Sequence, residues 1–229
     1  MTILCCVYTC KEHFQYLEAL KETRLFDRIT GADNFRTIEV YADSRLSKPR
    51  LAHGILVLDC DEEYSKLSLK TYKMIDFCLS LSFDYLLKVD CTLLAHLAIG
   101  EDQDKIQPGH WDHNLVEQAL FEGTFFDQEY NGLIYQAAKE PGFTKWARAK
   151  NVQTCYRRVF KAGEATPYYY TGPLYSMSRP FCEFIAERGH NMAVEHVKYL
   201  GGSEDLMIGR LYDQYTTIYR LADENRRHW

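Results

Sequence analysis

Three stretches of this sequence carry side chains whose types and spacing could do chemistry. Lys88-Val89-Asp90 sets a carboxylate just past an apolar run. Hard divalent cations take carboxylate oxygens held on rigid elements, so a strand-end acid suits metal-assisted chemistry. Ser203-Glu204-Asp205-Leu206-Met207-Ile208-Gly209 follows Gly201-Gly202 and puts two acids at the head of a helical pattern. One of these carboxylates could act as a general base, taking the proton from an attacking hydroxyl. The third stretch, Thr166 to Ser176, contains Tyr168, Tyr169, Tyr170, Thr171, Gly172 and Tyr175. Tyrosines offer an apolar face and a polar tip, which matches rings with CH faces and hydroxyl rims. Gly172 would let a backbone approach a ligand closely. Each stretch also has a plain structural reading. A strand-end Asp often caps a turn, Ser203 with two acids completes a helix start, and an aromatic strand can simply be core. On the residues alone both readings stay open.

The elements that must position these residues follow from apolar periodicity. Thr2 to Tyr8 is a short apolar run suited to a buried parallel strand. After polar Thr9 to His13, the residues Phe14, Leu17, Leu20 and Leu25 predict a helix over 14–26. Further strands are expected at Thr37 to Tyr41, Gly54 to Leu58, Phe83 to Val89 and Gly132 to Gln136. Helices are expected at Ser65 to Leu81, Asn114 to Leu120, Pro180 to about Gly189, and Glu204 to Tyr215. The polar segments from Gly100 to His113 and from Lys161 to Thr166 read as loops. This alternation predicts an α/β fold: a mixed, mainly parallel sheet with helices on both faces. Ligands of such sheets sit beyond the carboxyl ends of the strands. Thr9, Asp43 and Asp90 would then line one crevice.

Bulk properties set the outer bounds. A chain of 229 residues has single-domain length, and 46% hydrophobic with 26% charged residues is ordinary for one good core. The single domain over residues 1–229 would fall into two halves, about 1–95 and 96–229. A net charge of -5 speaks against a nucleic-acid partner, which would need a basic face. Eight cysteines are scattered without a CxxC pair or zinc spacing, which fits a reducing, cytoplasmic compartment. No apolar run approaches the roughly 20 residues of a membrane span, so no membrane insertion is expected.

Taken in order, several blocks resemble glycosyltransferase family 31, the β-1,3-galactosyltransferase and fringe-like group. Ala19-Leu20-Lys21-Glu22-Thr23-Arg24 is similar to its Ile-Arg-Glu-Thr-Trp block, with Arg24 in place of Trp. Asp61-Glu62-Glu63-Tyr64 through Leu67-Ser68-Leu69-Lys70-Thr71 resembles its acidic stretch before Asn-Leu-Thr-Leu-Lys-Thr. Lys88-Val89-Asp90-Cys91-Thr92 falls where the family has Lys-Thr-Asp-Asp-Asp. Lys145-Trp146 and Pro167 to Tyr175 are similar to its Lys-Trp and tyrosine-glycine blocks, and Glu204-Asp205-Leu206 with Gly209 to its Glu-Asp-Val-x-x-Gly.

The resemblance implies a GT-A fold, a UDP-sugar donor with galactose first, a glycan acceptor and inversion at the anomeric carbon. It implies a divalent cation, usually manganese. Carried over by position, Asp205 is the general base and Glu204 its support. Asp90 is the acid left in the metal and ribose motif, and Lys70 lies near the nucleotide. Tyr170, Thr171 and Gly172 shape the donor and acceptor sugar sites, and His228 is a late metal-ligand candidate. Cys91 and Thr92 stand where the family has acids, and a hydroxyl is a poor ligand for a hard dication. Metal could bind through Asp90 and the diphosphate, or Lys88 or Arg210 could stabilise the leaving group instead. A catalytically silent sugar- or nucleotide-binding domain is the alternative of another class. A nucleotidyltransferase would need a glycine-rich loop after the first strand, and Thr9 to Phe14 has no glycine.

Overall fold

The computed structural model describes residues 1–93, 113–134, 170–200 and 202–226. The expected loops at 100–112 and 161–166, with Cys155, Lys145, Trp146, Tyr168, Tyr169, Gly201 and His228, lie outside the described residues. The six helices of the described residues are α1 (Phe14–Lys21), α2 (Arg24–Gly31), α3 (Leu67–Cys78), α4 (His113–Phe121), α5 (Arg179–Tyr199) and α6 (Glu204–Arg226).

Every residue of β1 (Ile3–Tyr8) is buried, as an apolar run without alternation demands when both sheet faces are covered. It pairs in parallel with β2 (Phe35–Ala42) on one side and β5 (Tyr85–Asp90) on the other. Next to β2 lies parallel β4 (Ile55–Leu58), edged by antiparallel β3 (Arg50–Ala52). Beyond β5 comes antiparallel β7 (Tyr170–Ser178), and then β6 (Tyr130–Ile134) antiparallel to β7. The order is β3-β4-β2-β1-β5-β7-β6, so one mixed, mainly parallel sheet takes strands from both halves of the chain.

Strand alternation sorts the core into two layers. Leu4, Cys6 and Tyr8 pack with Met74 and Ile75 of α3, Phe181 and Ile185 of α5, and Met207, Ile208 and Leu211 of α6. Ile3, Cys5 and Val7 pack with Leu17 and Leu20 of α1, Leu25 and Ile29 of α2, and Val116 and Leu120 of α4. Each such aliphatic residue contributes roughly 1.5–3 kcal/mol when fully buried. Helices therefore cover both faces, as the alternation of elements predicts.

Three local features differ from the sequence expectation. The helix expected over 14–26 is broken at Thr23, whose extended backbone and hydroxyl cap a new start by accepting from the Phe26 amide at 3.2 Å. β3 is an added strand, joined to β4 by a two-residue turn in which His53 (φ 51°) and Gly54 (φ 76°) are both left-handed. Gly189 does not end α5, which runs on to Tyr199. A Cβ there would come within 3.2–3.3 Å of Ile185, Leu211 and Tyr72, so this glycine lets α3, α5 and α6 approach closely.

The junction between α5 and α6 is pinned hard. Gly202 has φ 78°, donates its amide to the His196 carbonyl at 3.0 Å, and accepts from the Ser68 amide at 3.0 Å. A Cβ at Gly202 would collide with the Ser65 carbonyl. His196, 1% exposed, has its Nδ1 3.0 Å from the Ser203 carbonyl. A carbonyl only accepts, so Nδ1 carries a proton. Burial holds its pKa down to about 4, and the Arg210 charge adds to that, against the pull of the Ser203 bond.

Two outcomes are expected, one at this junction and one at the end of α2. Gly202→Ala lowers the unfolding free energy by about 1–3 kcal/mol, since it adds both backbone strain and a steric clash. Gly31→Ala, at a helical position with nothing within 4 Å, raises it by up to about 1 kcal/mol. Urea titration of the two variants checks both. As pH falls from 6.5 towards 4, the unfolded chain takes up a proton that folded His196 refuses. The stability this neutral ring contributes is lost in that window, and amide exchange at residues 203–206 accelerates there.

Candidate functional site

The carboxyl ends of the parallel strands form one edge. Tyr8 stands level with Val40 and Asp90 in the sheet register. The Thr9 amide donates to Val40, Cys91 to Tyr8 and Asp43 to Leu58, at 3.2, 2.8 and 2.8 Å. Thr9, Asp43 and Asp90 are thus brought to neighbouring strand ends, as strand-end reasoning expects.

Their side chains are differently employed. The Asp43 carboxylate accepts from Arg45 Nε at 2.9 Å and from Arg45 Nη2 at 2.7 Å, and closes a turn onto the Arg45 amide. The Arg45 side chain and amide hold its pKa well below the usual carboxylate range. Thr9 is buried, and its carbonyl accepts from Lys70 Nζ at 2.7 Å. Lys70 is 2% exposed, stands 3.7 Å from Glu62, and lies 4.8 Å from the centre of the Tyr8 ring. Burial lowers its pKa, and Glu62 offsets this only in part. Lys70 thus fastens the β1 end from below and is enclosed by protein. Glu62 completes the bracket by accepting from the amides of Ala42 at 3.0 Å and Lys11 at 3.4 Å. Lys73 ties Asp59 to α3 at 2.9 Å.

The centre of the site is Lys88. It occupies the middle of β5, points to the same face as Tyr8 and Tyr175, and is 1% exposed. Its ammonium lies 3.1 Å from Glu204 Oε1 and 3.6 Å from Asp90 Oδ2. The Tyr8 and Tyr175 rings stand 4.9 and 5.5 Å away. Burial alone would push this amine down, but the Glu204 and Asp90 charges outweigh it and raise its pKa. So enclosed an ammonium does not reach a leaving group in solvent, and among the described residues it meets the acids and the two tyrosine rings.

Glu204 is buried and Asp205 beside it is only part-buried. Asp205 Oδ1 accepts from the Ser203 hydroxyl at 2.8 Å and the Leu206 amide at 2.8 Å. Its pKa is pushed up to about 6, first by burial and then by the Glu204 charge. That value suits a base working near neutrality. Tyr8 donates its hydroxyl to Thr71 at 2.9 Å. The Tyr175 hydroxyl, fully buried near Glu204, has no partner among the described residues.

For a divalent cation the donor set is thin. Asp90 Oδ1 accepts from the Thr92 amide at 3.0 Å and hydroxyl at 2.8 Å, while Oδ2 faces Lys88. Cys91 is buried, its thiol pushed up to about 12 chiefly by that burial. Among the described residues no group of three His, Cys, Asp or Glu side chains is placed to hold a metal. These residues do not fit a metal centre. At the sugar side, Val89 pairs with Leu174, so Tyr170, Thr171 and Gly172 at the head of β7 run past the level of Asp90. Tyr175 lies in the tyrosine stretch marked from sequence, whereas Tyr8 and His196 are not singled out there. Period-two counting back from Asp90 puts Lys88 on its face, and the same count in β1 marks Tyr8 as the strand's last inward residue.

No family model matches this chain, and no curated protein matches it. The likeness to family 31 rests on the short sequence blocks quoted above. Among solved structures, the chain is similar to the galactosyltransferase LgtC in complex with donor and acceptor sugar analogs. Identity is 12%, the TM-score is 0.46, and the match covers 91% of this chain and 70% of that one.

Proposed function

We propose that the protein is an inverting glycosyltransferase of the GT-A type, moving a hexose, galactose first, from a UDP-sugar to a carbohydrate hydroxyl. The observation that carries this reading is Asp205: a part-buried carboxyl at a helix start, backed by a buried ion pair and raised to about 6. In the sequence it sits inside the Glu-Asp block of the family 31 pattern. The acceptor hydroxyl gives its proton to the Asp205 carboxylate as its oxygen attacks the anomeric carbon. The bond from that carbon to the diphosphate oxygen breaks, UDP leaves with the electron pair, and one displacement inverts the centre. Tyr170 to Gly172 stand at the sugar side, and Thr9, Asp43, Lys70 and Asp90 frame the nucleotide side.

This assignment has a direct test. Calorimetry with UDP-galactose, UDP-glucose and UDP-GlcNAc, each with manganese or excess chelator, shows binding to at least one donor. Binding that survives chelator fits the donor set around Asp90, and binding that needs manganese places a metal there with help from the diphosphate. No binding to any of the three overturns the reading; donor binding without turnover supports a silent binding domain instead.

Asp205→Asn keeps donor binding and loses turnover by about 10²–10⁴-fold, the range of a general base. In the wild type, kcat falls as pH drops below about 6, following Asp205 protonation. A carboxyl with a raised folded pKa destabilises the fold when ionised: the loss develops as pH rises from about 4 to 6 and is complete above it. Asp205→Asn therefore raises the unfolding free energy at pH 7, by about 1 kcal/mol after allowing for partial exposure. Turnover assays and denaturant melts on one preparation check both halves of this trade.

A further inference from the structure

The buried ion pair has a consequence for how the base is held. α6 begins at Glu204, one residue before Asp205, and Glu204 is tied across to the sheet by the Lys88 ammonium at 3.1 Å. The same ammonium lies 3.6 Å from Asp90 at the end of β5. One side chain therefore connects the two acidic blocks that the sequence places more than a hundred residues apart. Among the described residues it faces Glu204 and Asp205 from α6, Asp90 from its own strand, Tyr8 from β1 and Tyr175 from β7, with Lys70 of α3 across the Tyr8 ring. Being 1% exposed, Lys88 does not itself meet substrate.

We propose that Lys88 is the positioning residue of the reaction: its buried ammonium ties the start of α6 to the end of β5 and thereby fixes where the Asp205 carboxylate stands. This rests on the transferase reading, and it adds a residue whose role is exerted wholly through others. A buried carboxylate stripped of its cation draws a proton back. The Asp205 carboxyl, which the Lys88 charge pulls down, then holds its proton to higher pH than it does with Lys88 present. The mechanical effect is separate: a helix start freed from its anchor misplaces a base, and misplacement by about 1 Å can cost on the order of 10²-fold.

The variants are Lys88→Met, Glu204→Gln and the double substitution, all in the full chain. Lys88→Met is expected to lower kcat about tenfold or more, with the donor KM within about twofold because no substrate contact is lost. The double variant is expected to be no slower than Lys88→Met, since the two groups act as one unit. Carboxyl-carbon NMR titration of folded Lys88→Met is expected to show added proton uptake by Asp205 between pH 6 and 8. Wild-type kcat in folded Lys88→Met, or an unchanged carboxyl titration, overturns the proposal. Should Lys88→Met fail to fold, Glu204→Gln cuts the 3.1 Å contact from the other side, and wild-type kcat there overturns it equally. If the wild type transfers no sugar at all, the transferase reading fails, while the NMR titration still decides whether Lys88 governs the acids.

Discussion

A lysine that cannot reach water must find carboxylates, and much of this site's architecture answers that requirement. Removing an ammonium from solvent costs several kcal/mol, and breaking a buried pair by deleting one partner costs about 3–5 kcal/mol. Lys88 lies in the middle of a central strand, where only the sheet face and the helices packed on it can answer. The answer comes from Glu204 on α6 and Asp90 on the same strand. A hydrophobic pair of similar volume would hold α6 to β5 at least as well. What the ion pair adds is a fixed direction for charged groups at the sheet's edge, where an apolar contact would leave none.

The rest of that edge repeats the device in smaller form. Lys70 holds the Thr9 carbonyl and faces Glu62, and Glu62 gathers the Ala42 and Lys11 amides. Tyr8 stands between the two buried lysines, its ring beside both ammoniums and its hydroxyl bonded to Thr71. The loops after β1, β2 and β4 are thereby fastened to the carboxyl edge of the sheet. The α5–α6 junction serves the same end, because Gly202 and His196 fix the backbone from which Glu204 and Asp205 start.

Much of this was legible in the sequence, for physical reasons that differ by element. β1 and β5 were plain because a strand buried on both faces needs an apolar run, and the two runs give way to polar Thr9 and Asp90 at the carboxyl edge of the sheet. The acid pair was legible because Ser203-Glu204-Asp205 is a helix-start pattern, with acids in the first turn of α6. The break at Thr23 was missed because Leu20 and Leu25 keep apolar spacing across it, while the deciding group is one hydroxyl. Gly189 misled because a glycine signals a helix end as readily as a close helix crossing, and only its three neighbours tell these apart. β3 was missed because a left-handed His53 beside Gly54 is a weak turn signal.

The part of the site that sequence could not give is the pairing of distant charges. Lys88 and Glu204 are 116 residues apart, and nothing in either block specifies the other. Reading Lys88 from its own neighbourhood suggests a cation offered to a leaving group, because Lys beside Asp at a strand end looks solvent-facing. The strand's period reverses this: Asp90 is the last residue of β5, so Lys88, two places earlier, lies a full repeat deeper beneath α6. A charge placed that deep is used by the protein on itself. Its cost is recovered only through the carboxylates it faces, Glu204 and Asp90, and through Glu204 it bears on Asp205, the next residue of α6.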